Sequence, residues 1–183
     1  MSKSFNQLIE ETRPCPPTTE PITSAEASAL VSKFDRVFGV IGVDFAMSQH
    51  GGLQDRLTDS RNSPPISACE FDFVMSGFIK KNGKQLYNDV ADIESGKVKA
   101  RGKSPEMMRA NNYEYVITSR STNINIALAI QPNPKRGKNK VRANLITIMR
   151  KRNFGVKMGE RVMVESFDGE QFDFTNAQVV VVD

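Results

Sequence analysis

Histidine occurs once in this chain, at His50, and cysteine twice, at Cys15 and Cys69. Cys/His metal chemistry is thereby nearly excluded. Two cysteines so far apart do not suggest a disulfide framework either. Long apolar runs are also missing. No stretch approaches the roughly 18 uninterrupted apolar residues of a membrane helix. Met1 to Arg13 shows no basic flank followed by an apolar core, so no secretory leader is expected. A GxxxxGK[ST] phosphate loop and a GxSxG nucleophile elbow are both lacking. Internal repeats and low-complexity tracts are absent as well. With these classes removed, the cytoplasm is the expected compartment, with no metal, no cofactor and no membrane partner.

What is present suits one folded domain. The 183 residues are 39% hydrophobic and include 12 glycines, enough for a single core and too few for two comfortable domains. The net charge of +4 conceals a strong asymmetry. Between Pro132 and Arg161 stand ten basic residues and one acid, Glu160, so that segment carries +9 and the remainder −5. Such clustering exceeds what solubility needs and suits a polyanion, whose binding would weaken steeply with salt.

Residues 1–23 read as an extended arm. Arg13-Pro14-Cys15-Pro16-Pro17 cannot continue a helix, because proline lacks the amide donor and clashes with the preceding turn. A single domain over 24–183 is expected to follow. A first helix is predicted from Ser24 to Phe38, with Thr23 and Glu26 at capping-box spacing and Ala27, Leu30, Val31, Phe34, Val37 and Phe38 on one face. A short strand, Val40 to Phe45, and a second helix carrying Leu53 and Leu57 come next. A third helix begins behind Ser67 and Glu70, stapled by Ile66 and Phe71, with Val74, Met75 and Phe78 facing inward. Lys80 to Lys84 reads as a turn, and 88–112 has no clear period. Strands are predicted at 113–118, 123–130, 141–149, 162–167, 171–174 and 179–182, with Asp168-Gly169 as a hairpin signal. Helices followed by a meander of strands imply an α+β fold, with N-terminal helices packed on a four-to-five-stranded antiparallel sheet.

Two constellations could carry chemistry. In the first, His50 sits where a loop enters a helix, in Ser48-Gln49-His50-Gly51-Gly52-Leu53-Gln54-Asp55-Arg56-Leu57, with Arg61 beyond. An imidazole titrates near neutrality and can move a proton at a ribose 2′-OH, while Arg56 and Arg61 can hold a phosphate. The plainer reading is a structural histidine with surface arginines. In the second, the strand ending Arg150-Lys151-Arg152 places cations at the sheet edge, with Phe154 available to stack on a base or to return to the core. Lys135, Arg136, Lys138, Lys140 and Arg142 form a basic connection suited to gripping phosphates.

The helix-entry histidine in Ser48-Gln49-His50, followed by Asp55-Arg56, together with helices preceding a sheet whose late strand is basic, resembles the RelE/ParE-like toxin superfamily. The motif is most similar to that of the bacteriophage RegB endoribonuclease family. That resemblance implies a phage or mobile-element protein that cleaves RNA through the 2′-OH without a metal. His50, Arg56, Arg61, Arg150 and Lys151 would be the catalytic set. Gly51-Gly52 lengthens the family's spacing. Its second histidine has no counterpart here, which leaves proton transfer to Lys151, Arg150 or a carboxylate. The compartment implied is the bacterial host cytoplasm, or the virion. The alternative is a non-catalytic phage accessory or structural protein that binds nucleic acid or host machinery through its basic face. Residues 1–23 would then tether it to a host or virion protein.

Overall fold

A computed structural model describes residues 15–16, 18–47, 51–98, 111–135, 138–155, 160–165, 170–173 and 178–181. The fold is α+β. Helix α1 spans Ser24–Gly39. Its capping box forms as the sequence implies, with the Glu26 amide donating to Thr23 Oγ1 at 3.2 Å and the Thr23 amide to Glu26 Oε2 at 2.8 Å. Strand β1, Val43–Met47, and the short helix α2, Leu53–Leu57, follow. Helix α3 spans Ala68–Glu94, and the Ser67–Glu70 box starts it in the same way.

The turn expected at Lys80 to Lys84 does not form. Ile79, Gly83, Leu86, Val90 and Ile93 all lie on the buried face of α3, spaced four and three apart. That apolar stripe outweighs the local run of polar residues, so the helix runs 27 residues before Gly96, at φ +70°, ends the path.

Strands β2 (Tyr113–Thr118), β3 (Ile124–Pro132), β4 (Val141–Arg150) and β5 (Glu160–Met163) join β1 in one sheet, ordered β1-β4-β3-β2-β5. The sheet is mixed, which corrects the antiparallel expectation. β2, β3 and β4 form an antiparallel meander, but β1 runs parallel to β4 and β5 parallel to β2. Alternating apolar residues set which face of a strand is buried. They carry no information on direction, so the two edge strands were free to reverse the pattern. A further correction concerns the C-terminal hairpin. β5 pairs with β2, and the hairpin instead joins β6 (Glu170–Asp173) to β7 (Gln178–Val181). Asp168-Gly169 lies outside the described residues.

The core lies between the helices and the sheet. Phe34 of α1 meets Phe45 of β1 and, edge-on, Phe71 of α3, while Phe78 of α3 meets Tyr115 of β2. All five rings are buried. Burying aromatic surface on this scale is the main source of stability, at about 25 cal/mol per Å² removed from water.

Cys15 and Cys69 are joined in a disulfide, their Cα atoms 5.6 Å apart. This also corrects the sequence expectation. Distance along the chain is no guide here, because the segment ahead of α1 crosses to the first turn of α3. The bond removes the cysteine argument for a reducing compartment. Residues 1–14 and 17 of the arm lie outside the described residues. Among the described residues no helix is long and apolar enough to cross a membrane.

Candidate nucleic-acid interface

β4 is longer than its edge partner β1, and the difference shapes everything on that side. β1 pairs with Val141 through Leu145 and stops. At that point the β3–β4 register slips, Ala127 facing Thr147 and Leu128 facing Leu145, so Ile146 is bulged out of the ladder. The Arg56 guanidinium donates to the carbonyl of Ile146. Asn62, 3% exposed, takes over further along. Its Nδ2 donates to Ile148 O at 3.5 Å and to Arg56 O at 2.9 Å, and its Oδ1 accepts from the Arg150 amide at 2.7 Å. Side chains from the 56–62 segment thus replace a missing strand. Burial pushes the Arg56 guanidinium down from its ordinary value, partly countered by Asp55.

Arg150 has a structural task as well. Its guanidinium donates to Pro64 O at 3.0 Å, Thr122 O at 2.9 Å and Pro65 O at 3.2 Å, and pairs with Glu70 at 2.7 Å. Its side chain is only 14% exposed. Arg61 is 62% exposed and bound to Asp59 at 2.8 Å. The hydrogen bonds from Arg61 hold the Asp59 carboxyl down to about 2. Arg56 and Arg61 share a small hollow with Asp55, Asp59 and Ile146 to Ile148. Ser48-Gln49-His50 lies outside the described residues. Among the rest of the expected catalytic set, only Lys151 opens onto the larger cleft described next.

That cleft, of about 410 Å³, lies at the end of the sheet where β2 turns into β3 and β4 ends. Arg120, Lys151, Arg152 and Arg161 line it together with Ser119, Asn123, Asn153 and Phe154. Among the described residues no Asp or Glu is in the lining itself, and the Glu165 carboxylate lies directly behind Ser119. Its floor is stitched by Asn125, 2% exposed. Asn125 Nδ2 donates to the carbonyls of Lys151 at 2.9 Å and Asn123 at 3.2 Å, and its Oδ1 accepts from Thr118 Oγ1 at 3.0 Å. The Lys151 amide returns a bond to Asn123 O at 2.8 Å. Asn123 and Asn153 adopt left-handed conformations, φ +57° and +52°, that let both walls turn sharply.

The Arg120 turn is pinned from below. Glu165 Oε1 accepts from Ser119 Oγ at 2.5 Å, Ser121 Oγ at 2.9 Å and the Ser121 amide at 3.1 Å. Arg161 Nη2 donates to Phe154 O, tying β5 to the opposite wall. Arg120, Lys151 and Arg152 are exposed.

The basic stretch of the sequence is therefore divided in space. Lys135, Lys138 and Arg142 line a separate hollow at the opposite end of β4, with Asp35 and Asp44. Ten residues of strand separate the two ends, roughly 30 Å. Asp44 anchors that hairpin by accepting from Asn133 Nδ2 at 2.7 Å and Asn139 Nδ2 at 2.8 Å. Lys140 lies at the same end, and Arg136 is outside the described residues. Sequence reading missed Arg120 and gave Arg161 no place in the site. Arg120 stands alone in a polar turn, and only the strand pairing brings it beside Lys151. Among the described residues no group of three His, Cys, Asp or Glu side chains is placed to hold a metal ion. No family model matches the chain, and neither curated proteins nor solved structures provide a significant match.

Proposed function

We propose that the protein binds nucleic acid, and that the cleft between the β2–β3 turn and the end of β4 is the binding site. One observation carries this reading: among the described residues, four cationic side chains and an aromatic ring line a single concave surface, with no acidic side chain in the lining itself. Guanidinium and ammonium groups neutralise phosphates, Phe154 offers a face for a base, and Asn123 and Asn153 supply amides for base edges. The non-catalytic form of the reading is the better supported. Cleavage in the manner of RelE-like families needs arginines on the scissile phosphate, and Arg56 and Arg150 are bonded into the sheet edge instead.

The test is fluorescence anisotropy with a single-stranded RNA of about 12 nucleotides, a length that spans a site of this kind. Affinity is expected to fall roughly 50-fold between about 50 and 200 mM salt, as release of counterions from about four phosphates requires. Arg120→Gln and Arg152→Gln should each flatten that dependence. Binding indifferent to salt, or to both substitutions, would overturn the reading. A gel of the same RNA in excess EDTA separates the two forms, because fragments with cyclic phosphate ends arise only from the endoribonuclease.

A further inference from the structure

The cleft's charge is concentrated at a point. Its cations come from three separate segments: Arg120 from the β2–β3 turn, Lys151 and Arg152 from the end of β4, and Arg161 from β5. They converge on about 410 Å³, the space of roughly one nucleotide. A strand lying across the surface offers one negative charge per internal phosphate, whereas a 5′-triphosphate gathers several charges on one short chain. Four cations converge there against one neighbouring carboxylate, Glu165, which is engaged by Ser119 and Ser121, so the remaining charge is poorly matched to a single phosphodiester. It matches a chain of phosphates carrying three or four charges in one place.

The opposite end of the sheet provides the contrast. There Lys135, Lys138 and Arg142 share their hollow with Asp35 and Asp44, so that the local excess of positive charge is small. The cleft is also held open before any ligand arrives. Asn125 fixes its floor, and Glu165 fixes the turn that carries Arg120. A scaffold organised in advance loses less on binding, because only the cationic side chains remain to be ordered around a highly charged group.

We infer that the cleft takes the phosphate chain of a nucleoside 5′-triphosphate, either free or at the 5′ end of an RNA strand, with the phosphates on Arg120, Lys151, Arg152 and Arg161 and the base against Phe154. The inference rests on the nucleic-acid reading above and names the part of the ligand that the site recognises.

Three versions of one short RNA, ending in a 5′-triphosphate, a 5′-monophosphate or a 5′-hydroxyl, discriminate the possibilities. Binding of each is measured by anisotropy with the full-length protein in buffer free of divalent cations, alongside competition by free adenosine triphosphate. The triphosphate strand is expected to bind at least about tenfold more tightly than the hydroxyl strand, with the monophosphate between them. Arg120→Gln and Arg152→Gln, both at exposed positions, should each reduce that advantage to about threefold or less. Competition by the free nucleotide would identify it as the source, and its failure to compete would assign the site to the strand end. Equal affinity for all three ends would overturn the inference while leaving nucleic-acid binding intact. Absence of binding by every strand and by the free nucleotide would overturn both.

Discussion

At Glu165, burial by itself would raise the carboxyl pKa. Hydrogen bonds from the Ser119 hydroxyl, the Arg120 and Ser121 amides and the Ser121 hydroxyl outweigh it and hold the value down to about 2. A carboxylate whose folded pKa lies below its ordinary 4.5 stabilises the native state fully above that value. The contribution is lost as pH falls from 4.5 toward about 2, because the unfolded chain takes up the proton first. Glu165→Gln removes this linkage. Urea midpoints measured against pH should therefore decline more steeply for the wild type than for the variant across that window. Parallel curves would show that the Ser119–Ser121 turn does not depend on the ionised carboxylate.

Among the elements, α3 and the end of β5 approach most closely at Gly77. A Cβ added there would meet Val164 Cγ1 nearer than two heavy atoms can stand. Lys81 Nζ, donating to Met163 O at 3.0 Å, and Gln85 Nε2, donating to Glu160 Oε2 at 2.8 Å, hold the same two segments together. Gly77→Ala should destabilise by about 1–3 kcal/mol through overpacking. Adding Val164→Ala should relieve it, so that the double variant costs less than the sum of the singles by more than about 0.5 kcal/mol. Strict additivity in urea denaturation would rule out that contact. Element starts were the most legible part of the fold. The boxes Thr23–Glu26 and Ser67–Glu70 are local patterns that need no tertiary partner. The second half of α3 was hidden because Lys80 to Lys84 are polar and only the sheet makes the Ile79, Gly83 and Leu86 stripe decisive. In the site, Lys151, Arg152 and Phe154 follow a readable strand. Arg120 and Asn62 act through partners far away in sequence, which no periodicity reports.

At the scale of the whole molecule, the Cys15–Cys69 bond closes a loop of 54 residues containing α1, β1 and α2. Restricting the unfolded chain by a loop of that length is worth about 4 kcal/mol in the chain-entropy account. The double substitution Cys15→Ser and Cys69→Ser should lower the urea midpoint. Adding a dithiol reductant to the wild type should lower it by a similar amount, and an unmoved midpoint in both experiments would contradict the bond. Charge is organised on the same scale: one sheet end concentrates four cations around a cleft, while the other balances its cations against Asp35 and Asp44.

The part of β4 that runs on past the edge strand β1 is sealed by two side chains, Arg56 and Asn62, where a neighbouring backbone would ordinarily lie. A seal of that kind hangs on single codons. Replacing Asn62 with alanine would uncover the Ile148 carbonyl and the Arg150 amide. The flank so bared would offer a foreign strand unpaired groups on which to pair.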